Sequence, residues 1–185
     1  MTNTHNAIAM IETSSLARGI EAADVILKTA EVELIINRTI CPGKYMVIFG
    51  GLVAAASASL DAARSQCGHN LVDNFIIPNV HPDIFPALSG VTQVPDLAAL
   101  GIIEGFSVAA VIEAADAAAK AASIQLIEIH AAMAIGGKGF VTLTGEVAAV
   151  EAAVEAGAAM VEQRGLLVDK IVIPSPRPEI IRNYI

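Results

Sequence analysis

The sequence predicts an α+β protein built from two tandem copies of one β-α-β-β-α-β unit. Two observations carry this. Residues 9–35 align with residues 101–127 with 13 of 27 positions identical. In a chain of 185 residues such a repeat marks two domains, placed at residues 1–90 and 91–185. Within each copy, short apolar or β-branched runs alternate with stretches whose apolar residues fall three and four apart, the patterns of strands and helices.

The first copy opens on residues 7–12, an apolar run suited to a buried strand. Ser14 and Ser15 offer an N-cap for a helix over 16–30, with Leu16, Ile20, Ala23 and Leu27 on one face. Residues 32–38 and 45–49 are β-branched and aromatic and read as strands, separated by the loop Cys41-Pro42-Gly43. Gly50-Gly51 ends the second of them. A second helix carries Val53, Ala56, Leu60, Ala63 and Cys67 at helical spacing. Residues 71–77 form the last strand, closed by Pro78.

The second copy follows the same plan. Strand 101–104, helix 107–122, strand 124–130, loop 131–138, strand 140–144, helix 145–163 and strand 167–173 come in order. Between the copies, Pro82, Pro86 and Pro95 interrupt residues 79–97, which read as a linker with one short helical turn.

Composition narrows the function classes. Each copy is large enough for a modest core. Mean hydropathy is +0.63, 55% of residues are hydrophobic and there is no Trp. Such a chain has more nonpolar surface than it can hide alone, which implies subunit interfaces. The net charge of −8 argues against nucleic acid or an anionic membrane as partner. No window is apolar enough for a transmembrane helix, and the N-terminus lacks a basic segment followed by an apolar one, so no signal peptide is expected.

The repeat sorts the two cysteines. Cys67 lies on the apolar stripe of its helix and aligns with Val161, so it reads as a small core hydrophobe. Cys41 has no counterpart: Cys-Pro-Gly-Lys in the first copy faces Ile-Gly-Gly-Lys in the second. Cys-Pro occurs in iron–sulfur ligand runs, and an inert loop cysteine is the plain alternative. In a ring with this loop on its axis, each subunit adds one thiolate.

At this point the text resembles a known family. Ala-Met-Ile-Glu-Thr-Ser-Ser-Leu-Ala-Arg-Gly-Ile-Glu-Ala-Ala-Asp at 9–24, Lys-Thr-Ala-Glu-Val at 28–32, and residues 101–124 are similar to the bacterial microcompartment shell domain. Two fused copies resemble its tandem type, which assembles as trimers that mimic a hexamer. Ile-Cys-Pro-Gly-Lys and Gly-Leu-Leu-Val (165–168) resemble the T-type shell proteins of propanediol-utilisation compartments, which hold an iron–sulfur cluster at a central pore.

The resemblance implies a homotrimeric tile in a microcompartment shell, in contact with other shell proteins and with an encapsulated or cytosolic redox enzyme. It implies a pore lined by Ile40, Cys41, Pro42 and Gly43, alternating with Ala134, Ile135, Gly136 and Gly137. Cys41 of three subunits would hold one [4Fe-4S] cluster per trimer on the threefold axis, its fourth iron left to a non-protein ligand. Lys28 and Lys120 match the lysine that tiles such domains into sheets; Arg177 approximates the edge arginine, and His81 stands in its place in the first copy.

Thiolates also suit zinc, and three thiolates with an open corner fit a three-coordinate zinc site. Zinc hydrolysis wants a general base, and the Cys41 loop offers no His, Asp or Glu. Backbone N–H groups of Gly43 and Lys44 are placed to donate to cluster sulfurs.

Other features have plainer readings. Gly136-Gly137-Lys138-Gly139 lacks the full phosphate-loop spacing and reads as a glycine turn. Glu12 and Glu104 match across the repeat and read as structural carboxylates capping the following turn. Asp24/Lys28 and Asp116/Lys120 lie four apart on helices and suit solvated ion pairs. His5, His69, His81 and His130 do not cluster, and His130 reads as a strand-end surface residue. Two functions remain: a structural tile whose pore carries a cluster for electron relay or cluster transfer, and a tile whose metal-free pore conducts small metabolites. No base–nucleophile pair or cofactor fingerprint supports an enzyme.

Overall fold

The computed structural model describes residues 5–92, 97–132, 135–177 and 179–180. The chain divides into two compact units, Met1–Val80 and His81–Ile185.

In the first unit β1 (Ala7–Thr13), α1 (Leu16–Thr29), β2 (Val32–Ile40), β3 (Lys44–Gly51), α2 (Val53–Cys67) and β4 (Leu71–Pro78) follow the predicted order, with a single 3-10 turn at Gly68–Asn70. The strands form an antiparallel sheet in the order β2-β3-β1-β4. The two central strands are buried almost throughout, which is why β1 reads as an unbroken apolar run rather than an alternating one. Both helices pack on one face, where Ala7, Ala9 and Ile11 meet Ala22, Ile26, Leu60 and Phe49. A fully buried Ile26 or Phe49 contributes about 1.5–3 kcal/mol. The Ser59 hydroxyl donates to the Ile26 carbonyl at 3.0 Å, tying the helices together.

The face of α1 that meets this core differs from the expected one. Gly19, Ala22, Ala23 and Ile26 are buried, while Leu16, Ile20 and Leu27 are exposed. The helix carries two apolar faces, and the one with the smaller side chains lets it lie close to the sheet.

The second unit repeats the plan with β5 (Ala99–Gly105), α4 (Val108–Ala121), β6 (Gln125–Ala131), β7 (Gly139–Gly145), α5 (Val147–Gln163) and β8 (Leu167–Pro174), in the sheet order β6-β7-β5-β8. The hydroxyls of Ser15 and Ser107 accept from the amides of Arg18 and Ala110, capping α1 and α4 alike. Irregularities in pairing recur at matching places, after Glu12 and Glu104 and around residues 35 and 127, so they belong to the unit's design.

The predicted linker turn is α3 (Ile84–Ser89), which tolerates Pro86 because the N–H that proline lacks would lie in the first turn, where no carbonyl of the helix accepts it. It packs on β6 and α4. Residues 81–90, assigned by sequence to the end of the first domain, therefore lie in the second unit. The His81 amide reinforces this by donating to Asp116 on α4 at 2.8 Å.

Candidate functional site

Ile40 pairs with Lys44 at the ends of β2 and β3, which leaves Cys41-Pro42-Gly43 as a three-residue hairpin loop. The Gly43 amide donates to the Ile40 carbonyl at 3.0 Å and closes the turn. Gly43 takes φ +82, a left-handed conformation that glycine adopts without strain. The Cys41–Pro42 peptide is cis. Ile40 is buried, Pro42 and Gly43 are exposed, and Cys41 is a free, half-exposed thiol. A Cβ added to Gly43 meets nothing within 4 Å, so the space beside Gly43 is open within the chain. The N–H of Gly43, expected to face a cluster, is spent inside the turn.

The corresponding turn of the second unit includes Ile135, Gly136 and Gly137, with Gly136 at φ +68 and Gly137 at φ +86. The Lys138 amide donates to the Ile135 carbonyl at 3.3 Å. This supports the glycine-turn reading; Ala134 lies outside the described residues.

Both loops end on a lysine tied to a carboxylate of the first strand. Lys44 Nζ donates to Glu12 Oε1 at 2.6 Å, and Lys138 pairs with Glu104 in the same way. The sequence reading placed these glutamates at a following turn, and the structure corrects that. Residues 32 positions apart meet because β1 and β3 are neighbours in the sheet. A signal was present in the sequence: Glu and Lys recur together at matching positions of both copies.

Among the remaining predicted positions, Lys28 and Lys120 each donate to the aspartate one turn earlier at 2.6 Å. Lys28–Asp24 is solvated, whereas Asp116 is buried and also holds the His81 amide. The His81 ring accepts from the Asp83 amide at 3.4 Å. Arg177 is exposed beyond β8. His130 is half-buried, stacked on Phe140 at 4.9 Å and 3.1 Å from Glu128, so it is more enclosed than a surface residue at a strand end. Cys67 is buried in the first core, and burial pushes its thiol above the ordinary value, with Glu21 adding to the effect.

The described residues include no group of three or more His, Cys, Asp or Glu able to hold a metal. Cys41 therefore fits a cluster as one ligand of a set: a free, partly exposed thiol, with Pro42 and Gly43 beside it and no His, Asp or Glu on its loop. No second ligand of this kind accompanies it among the described residues.

Comparison with known proteins agrees with the architecture. The model of the BMC domain matches residues 7–80 and again 99–176. The chain is 41% identical to the bacterial microcompartment shell protein PduT of Citrobacter freundii, over 97% of each sequence. It is 36% identical to the carboxysome shell protein CsoS1C of Hydrogenovibrio crunogenus over 49% of this chain and 91% of that one. The crystal structure of a microcompartment protein from Desulfitobacterium hafniense superimposes with a TM-score of 0.91 at 50% identity, covering 95% of this chain and 98% of that one. A fused permuted hexameric shell protein, MSM0275, shares the fold at a TM-score of 0.61 and 23% identity, covering 84% of this chain and 81% of that one. With two BMC domains in one chain and similarity to a shell protein from end to end, this protein belongs to the BMC-domain family, as a tandem structural component of bacterial microcompartment shells.

Proposed function

We propose that this shell protein is a homotrimeric facet tile in which Cys41 from three subunits holds one [4Fe-4S] cluster at a central pore. The observation that carries the reading is the setting of Cys41, a free thiol at the tip of a short loop, lacking both a thiol counterpart in the second unit and partner ligands in its own described chain.

The exposed face of α1 supports the ring. Leu16, Ile20 and Leu27 are 44%, 56% and 51% exposed, whereas their counterparts Val108, Ile112 and Ala119 are 1%, 0% and 8% exposed. One helix face, repeated in one chain, is covered in the second unit and open in the first. A neighbouring copy of the chain supplies the cover, and closing the ring brings the three Cys41 loops to one axis.

In that arrangement Ile40 anchors the loop in the sheet, Gly43 leaves room beside the sulfur, and Cys41 supplies the thiolate. A bound cluster supplies one-electron redox chemistry, which suits electron relay or cluster transfer across the shell toward a redox enzyme. Lys28, Lys120, His81 and Arg177 serve lateral contacts with other shell proteins, with Lys120 paired to Asp116 and His81 beside Asp83.

The test is iron and acid-labile sulfide per trimer after anaerobic purification. The expected result is four of each in the wild type and none in Cys41→Ser, with the trimer intact in both. Equal iron in the two proteins, or none in either after anaerobic reconstitution, overturns the cluster and leaves a metal-free conducting pore. Zinc bound only when Cys41 is present assigns the site to zinc.

A further inference from the structure

We propose that Glu12 is a positioning residue for Cys41, acting through Lys44. The proposal rests on the reading of Cys41 as a ligand shared among subunits, since such a thiol has to stand at one place relative to an axis outside its own chain. Its loop is held from two sides. On the β2 side Ile40 is buried and its carbonyl receives the Gly43 amide. On the β3 side Lys44 is tied to Glu12.

The Glu12 carboxylate is an unusual anchor. Its side chain is 6% exposed, and it projects from β1, which is paired on both sides by β3 and β4. A buried carboxylate is tolerated when it is paired, and its partner is then held strongly in turn. Lys44 remains 32% exposed, so its stem spans from the buried anchor to the loop rim. The pair thereby transmits the rigidity of the central strand to a point three residues from the thiol.

The second unit supplies a control within the same molecule. Lys138 pairs with Glu104, whose side chain is 29% exposed, at the end of a loop that carries no thiol. The two pairs share chemistry and place in the fold and differ in how deeply the carboxylate is buried and in what their loops present.

The experiment compares wild type, Glu12→Gln, Lys44→Arg, Lys44→Met and Glu104→Gln in two readouts. The first is the rate of Cys41 alkylation by iodoacetamide in iron-free trimer, followed by peptide mass mapping so that Cys67 is counted separately. Glu12→Gln and Lys44→Met are expected to speed alkylation about 3- to 10-fold as the loop opens locally; Lys44→Arg and Glu104→Gln stay at the wild-type rate. The second readout is the electron paramagnetic resonance line shape and midpoint potential of reconstituted, chemically reduced protein: the line broadens and the potential shifts in Glu12→Gln, and both stay as in the wild type in Lys44→Arg.

Wild-type alkylation rates and an unchanged spectrum in Glu12→Gln overturn the proposal. So does an equal response to Glu104→Gln, which reduces the pair to general stability. If Glu12→Gln yields no folded trimer, the Lys44→Arg and Lys44→Met comparison decides by the same criterion. The cluster reading fails separately: wild type that takes up no iron overturns it, while a rate change confined to Glu12 and Lys44 variants still supports the positioning role.

Discussion

Tyr45 occupies the space a side chain at Gly19 would need: a Cβ on Gly19 would lie 2.5 Å from the Cβ and from Cδ1 of Tyr45. The second unit exchanges the sizes. Val111 stands where Gly19 does and Gly139 where Tyr45 does, and a Cβ on Gly139 would meet Val111 at an ordinary 3.5 Å. Both contacts lie one residue beyond the loop lysine, so each unit seats its helix against the root of its loop by a different division of volume.

Gly19→Ala is expected to destabilise the protein by about 1–2 kcal/mol. Overpacking costs about 1–3 kcal/mol, and the gain of alanine over glycine in a helix offsets about 0.5–1 of it. The penalty disappears in a Tyr45→Gly background. Chemical denaturation of the four proteins of that double-mutant cycle measures the coupling.

The two matched aspartates respond differently to removal. Asp116 is buried and accepts from both Lys120 and the His81 amide. Asp116→Ala strands those donors and costs about 1–3 kcal/mol. Asp24 is 57% exposed and holds Lys28 alone among the described contacts, so Asp24→Ala costs about 0–0.5 kcal/mol. Urea midpoints of the two variants check the contrast, and equal losses would refute it.

Ile20→Glu separates assembly from folding. Ile20 is exposed in the single chain, and its counterpart Ile112 is fully buried. Ile20→Glu is expected to shift the proposed trimer toward monomer in sedimentation while keeping the far-ultraviolet circular dichroism of the wild type. Ile112→Glu buries an unpaired carboxylate and prevents folding. A trimeric Ile20→Glu protein would falsify the interface.

Cys67 gives the protein an alkaline slope in stability. Burial raises its thiol above the ordinary value of 9.0. As pH climbs past that value the unfolded chain releases the proton and the folded chain keeps it, so stability is lost with rising pH. Cys67→Val, which installs the residue found at Val161, removes this contribution at little packing cost. The wild type should therefore lose more stability than Cys67→Val between about pH 7 and about pH 10, read as the difference in urea midpoints.

Sequence alone determined the order of elements in both units, because strand and helix periods are local and the repeat states each of them twice. Ser15 announced its helix, since a cap depends on residues three apart. The repeat also separated Cys67 from Cys41 before any coordinates, by setting valine opposite one and nothing comparable opposite the other. Tertiary structure decided which apolar face of α1 turns inward. Periodicity records that Leu16, Ile20 and Ile26 are apolar, but only close packing on the sheet selects Gly19 and Ala22 over the leucines. It also decided that residues 81–90 join the second unit, because α3 finds its cover on β6 and α4. Last, it joined Glu12 to Lys44: strand order and register bring distant charges together, and a buried carboxylate then holds the lysine that ends the Cys41 loop.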